Sequence, residues 1–374
     1  MPLLPGQGPH PSGRGGPSSQ KLRRLLFGLL GLRRWGPVSR PFLTLAIESS
    51  CDDTSVALLE GSRRVRATAL ASQIALHAPW GGVIPETASR EHLRTLIPLL
   101  REVLRRGGVA NAPRELSLVA VTAGPGLMGS LLVGVMAAKA LAQAWELPIV
   151  GINHLEGHLF ANVVAHDDLV PPFLALIVSG GHTEIVHVRA FGDYRLLGMT
   201  RDDAVGEAYD KVAKLLGLPY PGGPAIDDLA RKGNPKAFPL PVPMKDSDAV
   251  EFSYSGLKTA VLWLLRRFEG AEIPLEDICA SFQEAALAAL MAKVRLAVAR
   301  TGVRSVVLSG GVAANSSLRE RMAAARQWKS YIPPRDLCTD NAVMIAAAGY
   351  NNWKRGVRSD LTLTPDPSWP LASP

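Results

Sequence analysis

One pattern occurs twice in this sequence: an apolar segment, a short polar turn and a second apolar segment. The first copy occupies residues 42–59 and the second residues 173–188. Short apolar segments around a tight polar turn are typical of paired β-strands. Each copy is followed later by a strand, a glycine-rich turn and a helix, beginning at residues 118 and 305. Two copies of one α/β unit predict two similar lobes, residues 42–165 and 166–356, with a cleft between them.

The turns of the second lobe are rich in glycine, with Gly180 and Gly181 in one and Gly310 and Gly311 in the other. Glycine lets backbone N–H groups approach an anion, and a following helix adds the positive end of its dipole. We therefore expect a nucleotide in the cleft, with a helix that begins near residue 314 and with Asn315 able to hydrogen-bond a ribose or base. The sequence has no GxxxxGK[ST] motif, which excludes a P-loop protein.

Two acids lie near the rigid turn at residues 219–224. Asp210 is on a predicted helix at residues 206–218, and Asp227 follows the turn. An acid beside a nucleotide is poorly suited to phosphate, so both are candidates for holding sugar hydroxyls. Simple solvation of a helix face is the alternative interpretation.

The segment NHLEGH at residues 153–158 carries a histidine pair. If Asn153 caps a helix, His154 and His158 lie one turn apart on the same face, as a divalent metal requires. A third ligand must come from elsewhere, and Asp340 in a late loop is the best candidate. Two histidines and one carboxylate with open positions suit iron(II), with zinc as the alternative. The competing interpretation is a pair of surface histidines.

The charge of the chain is unevenly distributed. Its formal net charge is +8, but seven basic residues lie ahead of the first acid, Glu48, so the remainder is near +1. A nucleic-acid site in the body of the chain must therefore be a local patch. The three cysteines, Cys51, Cys279 and Cys338, form no CxxC pair, which favours a reducing compartment over a disulfide framework.

The two ends of the chain differ from the body. Residues 1–41 are a basic leader that we expect to be disordered, and residues 357–374 are a proline-rich tail expected to lie extended on the surface. The leader is either an organellar transit peptide or the product of a start codon placed too far upstream in a bacterial gene. We expect a cytoplasmic bacterial protein, with a mitochondrial one as the alternative. The apolar run of the leader, residues 25–32, is too short to span a bilayer, and we expect no stable membrane association.

Nine motifs occur in an order that is informative as a set. They are ESSCDDT (48–54), GGVIPE with ASREH (81–92), NHLEGH (153–158), VSGGHT (178–183), DDAVGEAYDK (202–211), YPGG (220–223), FSYSGLK (252–258), SGGVAAN (309–315) and CTDN (338–341). Together they resemble the TsaD family, the tRNA adenosine threonylcarbamoyltransferases. The resemblance covers residues 42–356 and implies a two-lobed fold of the actin and sugar-kinase type.

The resemblance also implies an activity and its partners. The threonylcarbamoyl group would pass from threonylcarbamoyl-AMP to the exocyclic amine of the adenosine immediately 3′ of the anticodon, in tRNAs that read codons starting with adenine, with release of AMP. Carried over by position, His154, His158 and Asp340 would hold one iron ion per subunit. The adenylate would be bound by Ile177, Val178, Ser179, Gly180, Gly181, Asp210, Gly223, Asp227 and Asn315. Bacterial relatives work with the proteins TsaB and TsaE, whereas mitochondrial relatives are homodimers.

The acceptor amine needs a group that takes its proton. Asp52 or Asp53, in the first polar turn, could be this base, and His182 is another candidate. Two other classes of enzyme remain to be weighed. The histidine pair is compatible with a metallopeptidase, although Glu156 is not at the position of the base in HExxH or HxxEH. A small-molecule kinase on the same fold would need no metal bound by the protein at this pair.

Overall fold

The computed structural model describes residues 40–372. Residues 42–374 form one compact unit, while nearly all of the predicted leader, residues 1–39, lies outside the described residues. The first sheet contains five strands in the order β3-β2-β1-β4-β5. These are β1 (Leu43–Glu48), β2 (Asp53–Glu60), β3 (Arg64–Ser72), β4 (Leu118–Gly124) and β5 (Ile149–Asn153). The strand β1 pairs antiparallel with β2 and parallel with β4.

The second sheet repeats this arrangement. Its strands are β6 (Phe173–Val178), β7 (Thr183–Ala190), β8 (Asp193–Met199), β9 (Ser305–Ser309) and β10 (Lys329–Tyr331). They lie in the order β10-β9-β6-β7-β8, with β6 antiparallel to β7 and parallel to β9. The two sheets therefore share one topology, which confirms the predicted pair of α/β units. The exact lobe boundaries stay a prediction.

Eleven α-helices connect and cover the sheets in the described part of the chain. They are α1 (Ile74–His77), α2 (Pro85–Arg106), α3 (Ala112–Glu115), α4 (Met128–Trp145), α5 (His154–Ala165), α6 (Val205–Leu215), α7 (Gly222–Ala230), α8 (Ser255–Leu265), α9 (Leu275–Thr301), α10 (Ser316–Ala324) and α11 (Ala342–Lys354). The turn after β9 begins with a 3₁₀-helix, Gly311–Ala314, so the α-helix starts two residues later than expected.

The last helix returns to the first sheet. Although it follows the second sheet in sequence, α11 packs on β1, β2 and β4 and alongside α5. Two glycines permit this close approach. A Cβ on Gly157 of α5 would lie 2.7 Å from Ile345 Cδ1, and one on Gly349 would lie 2.6 Å from Ala120 Cβ. Because carbon atoms cannot pack that closely, larger residues would push α11 away from both partners.

The tail covers the free edge of the first sheet. Ser359 donates its N–H to Ile149 O at 3.1 Å, and Asp366 donates its N–H to Ala123 O at 2.7 Å. The Nδ2 of Asn153 also donates to Trp369 O at 3.1 Å. The segment therefore makes specific contacts with the first sheet, and it satisfies part of the exposed edge of β5.

Helix α4 is long and apolar enough to cross a membrane, alone among the helices of residues 40–372. One face of α4, with Val135, Ala138 and Ala142, is buried in the core of the first lobe, while most of the helix is not buried. Core helices can have the same length and composition. The expected absence of stable membrane association stays a prediction.

A buried carboxylate joins three elements behind the histidine helix. Glu156 of α5 accepts hydrogen bonds from Tyr194 Oη at 2.6 Å and from Asn352 Nδ2 at 2.7 Å, with Arg355 Nη1 3.8 Å away. Burial raises the pKa of Glu156, and these partners offset part of the rise. Because Tyr194 is on β8 and Asn352 is on α11, this side chain ties α5 both to the second sheet and to the last helix.

We expect Glu156→Ala to lower the free energy of unfolding by about 2 to 4 kcal/mol, because Asn352 and Tyr194 lose their acceptor. Urea unfolding followed by circular dichroism measures the change. Glu102→Ala is the control, since Glu102 pairs with Arg105 on the exposed surface of α2 and such pairs contribute little. Equal stability of Glu156→Ala and the unchanged chain would contradict the role of this network.

Candidate functional site

The histidine pair lies at the start of α5, as predicted. Asn153 caps the helix, and its Oδ1 accepts the N–H groups of Leu155 at 2.9 Å and Glu156 at 3.3 Å. Four residues span about one turn of helix, so His154 and His158 face the same side. Their ring centroids are 4.7 Å apart. Both side chains are almost fully buried, which argues against the interpretation as surface histidines.

Asp340 approaches this pair from the loop before α11. Its Oδ1 lies 3.4 Å from His154 Nε2 and 3.3 Å from His158 Nε2. Asn341 fixes the start of the helix, since its Oδ1 accepts the N–H of Met344 at 3.0 Å. One ligand atom from each of the three side chains lies within 4.8 Å of the others. The packing of α11 against α5 thus brings the late acid to the early histidines.

The three side chains fit a metal ion. Both ring nitrogens of His158 are buried, and neither has a hydrogen-bond partner among the described residues. A buried polar atom without a partner is rare and requires an explanation. Ligand atoms that are each about 2.1 Å from one ion are about 3.0 to 3.4 Å apart. The Nε2 to Oδ1 distances fall in this range, so an ion would give the Nε2 of His158 a partner.

A second carboxylate, Glu48, orients His154. Its Oε2 lies 3.1 Å from His154 Nδ1, while its two oxygens accept the Ser50 N–H at 2.6 Å and the Thr122 hydroxyl at 2.5 Å. Burial opposes ionisation of Glu48, but the neighbouring imidazole outweighs it and lowers the pKa. A carboxylate at Nδ1 fixes the tautomer and leaves Nε2 free to bind a metal. Glu48 was not predicted to be a site residue, although an acid at the end of a buried strand indicated one.

Charges at the centre depend on one another. Burial lowers the pKa of His154, but the facing carboxylates of Asp340 and Glu48 outweigh it and raise that pKa well above its usual range. Burial would raise the pKa of Asp340, yet the two imidazoles hold it far below its ordinary value. The site therefore favours ionised carboxylates, which are the form that binds a cation.

The candidate bases lie around this centre. Burial, together with the charges of Asp340, Asp52 and Glu48, raises the pKa of Asp53 to about 7 against a hydrogen bond from Ser72. One oxygen of Asp53 is buried without a partner in the described part of the chain. Burial and the charges of the two histidines lower the pKa of His182 to about 4. The charge of Asp52 also reaches the second lobe. There it adds to the effect of burial and raises the pKa of Asp210.

The glycine turns of the second lobe lie against each other and against the histidine helix. Ile177 and Val178 are buried at the end of β6, whereas Gly180 and Gly181 are exposed and have open space around their Cα atoms. Ser179 Oγ accepts the N–H of Gly181 at 3.3 Å and the N–H of His182 at 3.1 Å, which folds the turn around it. The turn therefore presents open backbone to the cleft.

The second glycine turn requires its glycine. Gly310 has φ of +90°, and a Cβ there would lie 2.3 Å from Val178 O. A side chain would therefore be strained and would separate the two turns. Ser309, immediately before it, donates its hydroxyl to His158 O at 3.1 Å. This hydrogen bond links the second glycine turn directly to the helix of the histidine pair.

The remaining predicted nucleotide residues lie in two separate hydrogen-bonded groups. Asp210 Oδ1 accepts the N–H of Gly222, next to Gly223, at 2.8 Å. Asp227 accepts from Gln283 Nε2 at 3.3 Å and from the Ser316 N–H at 3.0 Å. The Nδ2 of Asn315 donates to Gln283 Oε1 at 2.7 Å. Gln283 was not predicted from the sequence, although a polar residue among the alanines and leucines of α9 was a signal.

Comparisons with known proteins identify the family of this chain. A family model described as TsaD, tRNA N6-adenosine threonylcarbamoyltransferase, matches residues 64–347. The tRNA N6-adenosine threonylcarbamoyltransferase of Anaeromyxobacter dehalogenans is 52% identical over 332 residues, which cover 87% of this chain and 99% of that protein. The protein of the same description from Moorella thermoacetica is 48% identical over 332 residues, covering 87% and 96%.

A solved structure supports the fold alone. Full-length HypF in its phosphate- and nucleotide-bound form matches with a TM-score of 0.55 and 14% identity, over 85% of this chain and 47% of HypF. The fold is thus of the actin and sugar-kinase type. The relatives favour a transferase that acts on tRNA over a metallopeptidase or a kinase. This chain, whose His154, His158 and Asp340 could hold a metal ion, belongs to the tRNA N6-adenosine threonylcarbamoyltransferase family.

Proposed function

We propose that this chain performs its transfer in the cleft between the two sheets. The threonylcarbamoyl group moves from threonylcarbamoyl-AMP to the exocyclic amine of the adenosine immediately 3′ of the anticodon, in tRNAs reading codons that start with adenine, and AMP is released. The observation that carries this proposal is the hydrogen bond from Ser309 to His158. It puts a turn suited to a phosphate beside a cluster suited to a cation.

One iron(II) ion per chain is proposed at His154, His158 and Asp340, with zinc as the alternative. The ion supplies a Lewis acid for the negative charge that develops on the donor as AMP departs. Glu48 holds His154 in the tautomer whose Nε2 faces Asp340. The exposed backbone at Gly180 receives phosphate oxygens.

The adenylate is proposed to lie on the second lobe. Backbone groups of residues 177–181 contact its phosphate, and Asp210, Gly223, Asp227 and Asn315 hold its ribose and base. Support comes from the hydrogen bonds through which Gln283 joins Asp227 to Asn315. Such a network fixes the side chains before the ligand arrives, which lowers the entropic cost of binding.

Asp53 is the proposed base. The amine nitrogen of the acceptor attacks the carbamoyl carbon, the bond from that carbon to the phosphate oxygen breaks, and AMP leaves with the electron pair. The proton of the amine passes to an Asp53 oxygen. A pKa of about 7 suits a base that works near neutral pH, whereas His182, with a pKa of about 4, is a weaker base. Asp52 remains the alternative.

Removal of one ligand should empty the metal site. We expect Asp340→Ala to purify with little iron or zinc and to lose transfer, because two imidazoles alone bind an ion weakly. Elemental analysis after anaerobic reconstitution with iron(II) or zinc measures binding, and nucleoside analysis of the tRNA measures transfer. His166→Ala at the end of the same helix is the control, since the His166 ring lies against Tyr331, with its Nε2 3.1 Å from Ile332 O, and not against the proposed ligands. A full metal content in Asp340→Ala would contradict the ligand set.

The identity of the base predicts a pH profile. We expect kcat/KM to fall as pH drops through about 7, because Asp53 accepts a proton only when it is ionised. Asp53→Asn should reduce kcat by about 10²- to 10⁴-fold and remove this acidic limb. Metal content should stay unchanged. If Asp52→Asn removes the limb while Asp53→Asn keeps it, Asp52 is the base.

A cytoplasmic location and work with TsaB and TsaE are the proposed setting, with a mitochondrial homodimer as the alternative. Helices α2 and α4 pack together and expose large apolar side chains. These are Leu93, Ile97, Met128, Leu132 and Met136, each 45% to 65% exposed. Exposed apolar residues grouped in this way are typical of a protein interface.

Light scattering after size exclusion should then give a monomer alone and a complex when TsaB is added. Leu93→Glu combined with Met136→Glu should abolish the complex, because burying two unpaired carboxylates is costly. Leu262→Glu is the control, since Leu262 is 40% exposed on α8, which packs on α6 and α9 of the second lobe. A stable homodimer in the absence of other proteins would favour the mitochondrial alternative.

A further inference from the structure

A cavity at the rim of the cleft has no place in the function described so far. It measures about 290 Å³ and lies between two segments, one from each lobe. The first is the turn Ala78–Trp80 with Gly81, and the second is the end of α6 with the connection to α7. Small-molecule sites begin at about this volume.

The walls of the cavity combine aromatic rings with a positive charge. Trp80 is 68% exposed, the highest value of any large apolar side chain in residues 40–372. Tyr220 lines the opposite lobe, and the ammonium group of Lys214 lies 3.8 Å from the position that a Cβ on Gly81 would occupy. Aromatic faces next to a cation are typical of sites for single-stranded RNA.

Hydrogen bonds of a buried histidine fix the turn that carries Trp80. His77 is fully buried, and its Nδ1 accepts the N–H of Ile84 at 3.3 Å. Its Nε2 lies 3.1 Å from Gln73 Oε1, to which it therefore donates. Gly81 ends the turn with φ of +68°. Trp80 thus sits on a fixed platform, and a fixed ring loses little entropy when a base stacks on it.

The cavity opens toward the reacting groups. Asp210 lines it and is also one of the predicted adenylate residues. Burial and the charges of Asp52 and Asp210 raise the pKa of Tyr220. Tyr220 is therefore near the polar turn of the first lobe as well as the second lobe. A base held in the cavity would lie between the solvent and the candidate catalytic acids.

We propose that this cavity receives the acceptor adenosine of the RNA, stacked on Trp80 and Tyr220, with Lys214 against a neighbouring phosphate. This inference rests on the proposed function and adds a subsite to it. An enzyme that modifies a base must take it out of the stack, and aromatic side chains replace the lost stacking. Trp80 is a binding residue here, and the chemistry stays with the acids and the metal ligands.

Trp80→Ala should raise KM for tRNA by about 5- to 150-fold, with binding of the donor unchanged. Trp80→Phe should restore most of the affinity, because it keeps an aromatic face. Trp263→Ala is the matched control, since Trp263 is 58% exposed on α8 and does not line this cavity. An unchanged KM in Trp80→Ala would overturn the proposal. A loss of donor affinity equal to the loss of tRNA affinity would overturn it as well, by assigning the cavity to the donor.

A second measurement does not depend on transfer. An anticodon stem-loop with 2-aminopurine in place of the acceptor adenine lacks the reacting amine, and stacking quenches its fluorescence. We expect quenching by the unchanged chain and by Trp80→Phe but none by Trp80→Ala. Lys214→Gln should weaken binding and reduce its salt dependence by about one phosphate contact. Equal quenching by Trp80→Ala would overturn the subsite, whereas quenching without transfer by the unchanged chain would contradict the proposed function alone.

Discussion

The contact between α5 and α11 is the constraint on which the rest of the site depends. Gly157 lets the two helices approach, and Glu156 joins them through Asn352 on the side away from the cleft. The cleft side of the same contact brings His154 and His158 within 3.4 Å of Asp340. A larger residue at Gly157 would act on both sides at once, because it would separate the helices that carry the ligands.

This contact concentrates ionisable groups in a buried volume. Glu48 and Asp340 act on Asp53 and on the imidazole of His154, as the directions of these pKa shifts show. Buried charges are costly unless they are paired or bind a cation. The cluster has more carboxylates than a structural ion pair needs, since Glu48 alone would pair with His154. The surplus is explained when Asp340 serves a metal and Asp53 serves as a base.

Local features of this site could be predicted from the sequence, and contacts distant in sequence could not. The Asn153 cap, the histidine face and the glycine turns follow from short patterns, and the structure has them where they were expected. Asp340 was predicted to be a site residue from its residue type and from the resemblance to the family. The return of α11 to the first sheet depends on packing between residues far apart in the chain. Glu48 and Gln283 were missed for the same reason, since a buried strand end and a core helix reveal their polar partners only in three dimensions.

Buried hydrogen bonds join the two lobes at the base of the cleft. There, Asn162 Nδ2 donates to Leu308 O at 2.9 Å, and the Ala342 N–H donates to Ser55 Oγ at 3.0 Å, both fully buried. At the rim, by contrast, Trp80 and Lys214 are exposed. A rotation about the base would therefore change the rim cavity most and the ligand distances least. A two-lobed fold can in this way keep its metal ligands fixed while it adjusts to an RNA that must enter from outside, which reconciles a rigid chemical centre with a large substrate.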